Sequence, residues 1–221
     1  MSADVKGEIP EPLCIGTTNE GKNYCPGFVF IKRSLPPSEY FTGSQGVYVP
    51  RLAKERLINE AAALEHIRQN TDIPVPKVWG HFESNQAYYL MTETIAGVGP
   101  SNFWEHQKAP LFEELATHQS KLKTLRFNKL GGPTGLVIPP YRVMQQTETD
   151  RWRLRDTDHS EYVFCHNDLC QNNTMVDPRT LKIAGFYLER FERVDDGEEL
   201  LAFLESRVEG LRGRGHGQVV S

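Results

Sequence analysis

The chain has 221 residues, of which 38% are hydrophobic and 24% charged, enough for the core of one domain with two lobes. Its formal net charge of −4 gives no reason to expect nucleic acid or an anionic membrane as a partner. No apolar run reaches the ~18 residues that a membrane helix needs, and the first residues lack a signal-peptide pattern. The sequence therefore predicts a cytoplasmic protein and leaves its oligomeric state open.

The N-terminal residues 1–27 are rich in glycine, proline, asparagine and acidic residues, which predicts a partly flexible extension. Gly16 and Gly21 within it suit a loop over phosphate groups and a surface turn equally well. Residues 28–33 form a β-rich apolar run that predicts a strand, with Lys32 near its end. A lone lysine there is usually solvated, so a functional role for Lys32 requires a carboxylate partner elsewhere in the chain.

Residues 51–70 have the periodicity of an amphipathic helix that supplies such a carboxylate. Glu60 lies beside the apolar stripe, where a charged group needs a partner, and we expect that partner to be Lys32. Glu55 and Glu65 are the alternatives. The stripe consists of residues at spacings of three to five: Leu52, Leu57, Ala61, Leu64 and Ile67.

The next segments predict a hairpin followed by a second helix. Pro74 and Pro76 enforce an extended entry into strands at residues 78–82 and 87–92. Leucines at near-helical spacing then predict a helix over residues 111–127. His118 lies on the apolar stripe of this helix, so we expect a hydrogen-bonded core histidine rather than a metal ligand.

The polar block between the short apolar runs at residues 163–164 and 174–176 predicts a tight loop that carries chemistry. His166, Asp168 and Asn173 follow the pattern His-x-Asp-x-x-x-x-Asn. This spacing suits phosphoryl transfer, in which the aspartate accepts the proton of an attacking hydroxyl and the asparagine oxygen holds Mg²⁺. An ordinary polar loop between two strands is the alternative.

Four cysteines occur without the spacing of a zinc or redox motif. Cys165 and Cys170 lie on either side of the loop, and we expect both to be small, half-buried residues. A metal cluster that includes His166 would lack a fourth ligand at usable spacing.

Two stretches now carry a family resemblance: Phe164-Cys165-His166-Asn167-Asp168-Leu169 and Ile73-Pro74-Val75-Pro76-Lys77-Val78. They resemble the aminoglycoside phosphotransferase and choline kinase-like branch of the protein-kinase fold, especially its fungal members. The resemblance runs from about residue 28 to residue 187. It implies an α+β fold of two lobes, with a small antiparallel sheet in an N-lobe at residues 28–94. A helical C-lobe at residues 95–211, with the catalytic loop at 163–176, would be truncated and followed by a flexible tail at residues 212–221.

The resemblance also implies site residues for ATP. Lys32, oriented by Glu60, would contact the α- and β-phosphates. Backbone groups of the segment between the lobes, at Met91, Glu93 and Thr94, would hold the adenine edge. An ordinary connection between a strand and a helix explains this segment equally well.

For the catalytic loop, the resemblance implies Asp168 as the base for the hydroxyl of a small-molecule acceptor. His166 would brace the loop, and Asn173 would bind Mg²⁺. The acceptor itself cannot be chosen from the sequence.

One departure from the family pattern follows the loop. The return strand should continue into Ile-Asp-Trp-Glu, whose aspartate is the second metal ligand. Instead Lys182-Ile183 runs into Ala184-Gly185-Phe186, which resembles the segment after that motif, as though the motif had been excised. We therefore expect impaired catalysis. The alternatives are an inactive pseudokinase or scaffold module, and a truncated gene product.

Overall fold

The structure is a computed structural model, and it describes residues 13–44, 46–128, 131–139, 144, 162–166 and 169–188. All of these belong to one unit of the chain, Met1–Phe191. The predictions for Asp168, for the C-lobe beyond residue 188 and for the tail at residues 212–221 lie outside the described residues.

A five-stranded antiparallel sheet forms the first lobe. The strands up to this point are β1 (Cys14–Thr17), β2 (Gly21–Tyr24), β3 (Val29–Ser34), β4 (Thr42–Gly43), β5 (Gly46–Val47), β6 (Val78–Ser84) and β7 (Ala87–Glu93). The sheet has the order β1-β2-β3-β7-β6, while β4 and β5 pair only with each other. The predicted strand at residues 28–33 and the predicted hairpin of β6 and β7 are both confirmed.

The predicted N-terminal extension is wrong for residues 14–24, because β1 and β2 are part of the sheet. The Thr18 hydroxyl accepts the N–H groups of Glu20 and Gly21, at 3.2 and 3.1 Å, and so closes the turn between the two strands. Strands of four residues without alternating polarity give little local signal, and the pairing of β2 with β3 and of β1 with β2 supplies the stability that the local sequence lacks. The first lobe thus begins before residue 28.

Helix α1 (Ala53–Asn70) lies against the sheet and confirms the predicted helix. Leu57 and Ala61 pack on Tyr88 and Leu90 of β7, and all four are buried. Each fully buried leucine contributes about 1.5–3 kcal/mol. The Thr71 hydroxyl donates to the Ile67 carbonyl at 2.8 Å and ends the helix.

The second lobe contains helix α2 (Glu105–Leu122), the pair β8 (Arg126–Phe127) and β9 (Tyr162–Val163), and the hairpin β10 (Thr174–Asp177) and β11 (Lys182–Phe186). Both strands predicted to flank the catalytic loop are present. Helix α2 begins six residues before the predicted start at Leu111 and ends five residues before the predicted end at Phe127. Its first turn lacks the leucines on which the prediction depended, and the helix contains Pro110, a residue type that is disfavoured in helix interiors.

One apolar cluster joins the two lobes. Leu64 and Ile67 of α1 pack in the same buried cluster as Leu122 of α2, Val176 of β10 and Ile183 of β11. Helix α1 therefore buries one part of its surface against the sheet and another part against the second lobe.

The segment that connects the lobes is fastened to the hairpin. Val98 and Val176 exchange two backbone hydrogen bonds, each 2.9 Å long. A Cβ added at Gly97 would lie 2.8 Å from the Val176 carbonyl oxygen, so this close approach requires glycine. Among the described helices, none has both the length and the apolar character needed to cross a membrane.

Candidate functional site

The predicted ion pair between Lys32 and Glu60 is present. The Lys32 ammonium donates to Oε1 of Glu60 at 2.7 Å and to Oε2 at 2.9 Å, and both side chains are buried. Of the alternatives, Glu65 is exposed and Glu55 is half-buried. Strand β3 and helix α1 thus fix the direction of one ammonium group through a bidentate contact.

The geometry of this pair follows from two periodicities. Strand alternation turns Lys32 to the face that α1 covers, and the helical repeat places Glu60 between the buried residues Leu57 and Leu64. The two charges lie inside the interface between strand and helix, where each would be costly without the other.

His166, predicted to brace the catalytic loop, is bonded to the end of the return strand. Its Nε2 lies 3.0 Å from the Tyr187 carbonyl oxygen, and since a carbonyl only accepts, the imidazole donates. Asn173 ends a short 3₁₀ turn (Gln171–Asn173), is fully buried, and accepts the Tyr187 N–H at its carbonyl oxygen at 2.9 Å. Asp168 lies outside the described residues, so its distance to these groups is not described.

The register of β10 and β11 shows where the residues after Ile183 lie. Thr174 pairs with Phe186 and Met175 with Gly185, so Ala184-Gly185-Phe186 are part of the return strand. The predicted excision of the metal motif before Ala184 is not tested by this register and stays a prediction. Tyr187 and Leu188 occupy the positions directly after the strand, and neither carries a carboxylate.

The described residues supply only part of a divalent-metal site. Within them, no group of three or more His, Cys, Asp or Glu side chains lies close enough to hold a metal ion. Asn173 would offer one amide oxygen, but it has no solvent exposure. Mg²⁺ normally takes one or two carboxylates, and Tyr187 and Leu188 provide none.

The four cysteines are free thiols. Cys170 is half-buried, as predicted. Cys165 is exposed, so the expectation of a half-buried residue is wrong there.

The segment predicted to hold adenine uses its backbone donors within the protein. The Glu93 N–H donates to the Lys77 carbonyl at 2.8 Å, and the Thr94 N–H to the Phe28 carbonyl at 3.0 Å. Met91 lies in the ladder between β3 and β6. A base that bound through the N–H groups of Glu93 or Thr94 would have to displace these bonds.

His118 is buried in the core of the second lobe, as expected, with its ring edge-on to Phe186 at 5.5 Å. The expected hydrogen bond is wrong, since neither ring nitrogen has a partner among the described residues. The nearest carboxylate oxygen, from Glu114, is 3.8 Å from Nε2, too long for a hydrogen bond. Burial lowers the pKa of His118, and Glu114 opposes that shift only in part.

Sequence reasoning missed the residue that joins these parts, Tyr187. Its ring packs on Phe30 of β3 with centroids 5.1 Å apart, and its hydroxyl accepts the Ile95 N–H at 3.0 Å. Strand alternation could have indicated that Phe30 shares a face with Lys32. No local signal could have brought Tyr187 to Phe30, since the two are far apart in the chain.

The sheet, the intervening helix and the buried ion pair together define the protein-kinase-like α+β fold. In that fold a lysine on the third strand pairs with a glutamate of the following helix. The predicted fold class is therefore confirmed from the chain's own geometry.

Comparisons with known proteins identify the relationship more closely. The chain is 28% identical to an aminoglycoside 3'-phosphotransferase of Streptomyces fradiae over 151 residues, which are 58% of this chain and 56% of that protein. It is 26% identical to the corresponding enzyme of Streptomyces ribosidificus over 157 residues, 62% of this chain and 59% of the relative. The chain spans little more than half the length of these curated relatives, and no family model matches it.

A solved aminoglycoside phosphotransferase of Streptomyces rimosus, in complex with ADP and streptomycin, is 18% identical. The match covers 75% of this chain and 66% of that chain, with a TM-score of 0.46. The sequence matches confirm the resemblance drawn from the motifs: the chain is similar to aminoglycoside phosphotransferases.

Proposed function

We propose that the protein binds the phosphate groups of a nucleotide at Lys32 and transfers a phosphoryl group slowly to a hydroxyl of a small molecule. The observation that carries this proposal is the buried, bidentate pair of Lys32 and Glu60. The bidentate carboxylate fixes the direction of the ammonium that would contact the phosphates, as in the lysine–glutamate pair of kinases.

The other proposed roles follow the catalytic-loop motif. Asp168 would accept the proton of the attacking hydroxyl, His166 would hold the loop against the return strand, and Asn173 would supply an oxygen to Mg²⁺. ATP is proposed as the donor because one solved relative carries ADP, and that relative's streptomycin suggests a hydroxylated small molecule as acceptor.

Slow transfer is proposed because Tyr187 and Leu188 stand where the second metal-binding carboxylate is expected. Two unit charges 4 Å apart interact by about 4 kcal/mol at an effective dielectric constant of ~20. A loss of ~4 kcal/mol in the transition state corresponds to about a thousand-fold in rate.

A second candidate is a binding module without catalytic activity. The same two residues favour it, together with the complete burial of Asn173. Such a module would bind nucleotide through Lys32 and would not turn it over.

Thermal melting of the full chain with ATP, with and without Mg²⁺, tests the phosphate site. A ligand at 100 times its dissociation constant adds about 2.7 kcal/mol of stability. The shift should vanish in Lys32→Met/Glu60→Met, which removes both buried charges together, and persist in Lys182→Met, which alters an exposed lysine. If ATP shifts none of the three proteins, the proposed phosphate site is wrong.

A phosphotransfer assay with ATP and streptomycin separates the two candidates. Transfer above the uncatalysed background that is lost in Asp168→Asn supports the enzyme. Binding of ATP without any transfer across a panel of hydroxylated acceptors supports the module.

A further inference from the structure

Two aromatic rings pack together on the face of β3 that carries Lys32. Phe30 and Tyr187 are each 4% exposed, and their ring centroids lie 5.1 Å apart at an interplanar angle of 42°. Met175 of β10 is buried with them, and partly buried neighbours close the cluster: Cys25, Ile95 and Ala184. The sheet and the β10–β11 hairpin thus touch directly through side chains at this point.

The position of this cluster relative to the proposed site follows from strand register. Phe30 lies two residues before Lys32 on β3, so both side chains are on the same face. Phe30 also pairs with Thr92 of β7, next to the segment proposed to hold a base. A ligand that extended from Lys32 to that segment would lie along the face of β3 on which Phe30 and Tyr187 pack.

Tyr187 is held in this space from three directions. Its hydroxyl accepts the Ile95 N–H at 3.0 Å, directly after the proposed base-binding segment. Its N–H donates to the Asn173 carbonyl at 2.9 Å, and its carbonyl accepts from His166 at 3.0 Å. The flat aromatic ring packs on Phe30, and its hydroxyl satisfies a backbone N–H next to the segment proposed to hold a base.

We propose that Phe30 and Tyr187 occupy the space in which a nucleobase would bind, here called the base subsite, and so determine which ligand the site accepts. As the protein stands, the site takes the polyphosphate chain and gains nothing from a base; a nucleobase binds only when Tyr187 is displaced. This inference rests on the proposed role of Lys32 in binding phosphate.

Calorimetric titration with two ligands, ATP and inorganic tripolyphosphate, isolates the contribution of the base. For the wild-type chain we expect the two dissociation constants to agree within about threefold. In Tyr187→Ala or Phe30→Ala, ATP should bind at least tenfold more tightly while tripolyphosphate is unchanged. Comparing the ratio of the two constants between variant and wild type cancels the difference in ligand charge.

Tyr187→Phe is the matched variant, because it keeps the ring and removes only the bond to Ile95. It should leave the ratio within threefold of the wild type. Since Tyr187→Ala removes a buried ring and could prevent folding, Phe30→Ala and the wild-type ratio each test the proposal independently.

Several outcomes would overturn the inference. A wild-type chain that binds ATP at least tenfold more tightly than tripolyphosphate would show that the base subsite is open. A folded Phe30→Ala or Tyr187→Ala variant with an unchanged ratio would show that the rings do not block it. In both cases Lys32-dependent binding leaves the proposed function standing, whereas no binding of either ligand to any folded variant removes the proposed function and this inference together.

Discussion

Lys32 and Glu60 face each other inside the interface of β3 and α1, where both side chains are buried. Lys32→Met should therefore lower the free energy of unfolding by about 3–5 kcal/mol, because it leaves the Glu60 carboxylate buried and uncompensated. Urea denaturation measures this loss. The double variant Lys32→Met/Glu60→Met should recover most of it, and a single variant as stable as the double one would contradict the assigned cost.

His118 gives the protein an acid-sensitive component of stability. Burial lowers its pKa in the folded state below the ordinary value near 6.5, so below that pH the unfolded chain binds more protons. The stabilisation is complete above pH ~6.5 and is lost as the pH falls towards the lowered folded value. Nearby charges modify the shift without reversing it: Glu114 and Asp72 raise the pKa, and Lys121 lowers it.

We expect His118→Leu to flatten the dependence of unfolding free energy on pH between about 6.5 and 5. The matched control is His106→Leu, which alters an exposed histidine near the start of the same helix. Equal slopes for wild type and His118→Leu would assign the acid sensitivity to other groups.

At the level of elements, β11 can pack against the segment that connects the lobes because Gly185 has no side chain. A Cβ at Gly185 would lie 2.6 Å from Cδ1 of Ile95 and 3.3 Å from two further Ile95 atoms. Gly185→Ala should destabilise the protein by about 1–3 kcal/mol, the usual cost of overpacking. Gly80→Ala is the control, since its Cβ would meet Met91 at an ordinary 3.7 Å and should be neutral or stabilising.

The melting midpoints of the two glycine variants test this difference. A Gly185→Ala midpoint at or above that of Gly80→Ala would mean that Ile95 moves aside without cost. The contact between β11 and the connection would then be looser than its distances indicate.

The same elements show which parts of the fold a sequence can predict. β3, α1 and the hairpin of β6 and β7 were predictable because each has its own periodicity, and that periodicity also paired Lys32 with Glu60. β1 and β2 were not, since short strands with glycine and asparagine gain their stability from pairing within the sheet. Tyr187 was missed because only tertiary packing brings it to the site.

At the level of the whole molecule, the shared core predicts that the two lobes unfold together. Leu64 and Ile67 of α1 pack in one cluster with Val176 and Ile183, so the hairpin cannot be exposed without uncovering the helix that supports the sheet. Loss of the sheet and loss of the hairpin should have the same urea midpoint.

Two local probes test this expectation. Trp79 fluorescence reports on β6 when the other two tryptophans are replaced by phenylalanine, and amide exchange measured by mass spectrometry reports on β10 and β11. Coincident transitions are expected. Separate midpoints would mean that the two lobes are independent units, and a broad, non-cooperative transition would support the truncated-fragment alternative.

The paired backbone of Val98 and Val176 also determines where the molecule can bend. β7 ends at Glu93 and the connection is fastened again at Val98, so only residues 94–97 can absorb a change in backbone angle. Thr94 and Ile95 are further restrained by their bonds to Phe28 and Tyr187. Any rotation of the sheet relative to the hairpin must therefore occur through the backbone angles of residues 96–97. A small change in those angles would move the far end of the sheet by a much larger distance.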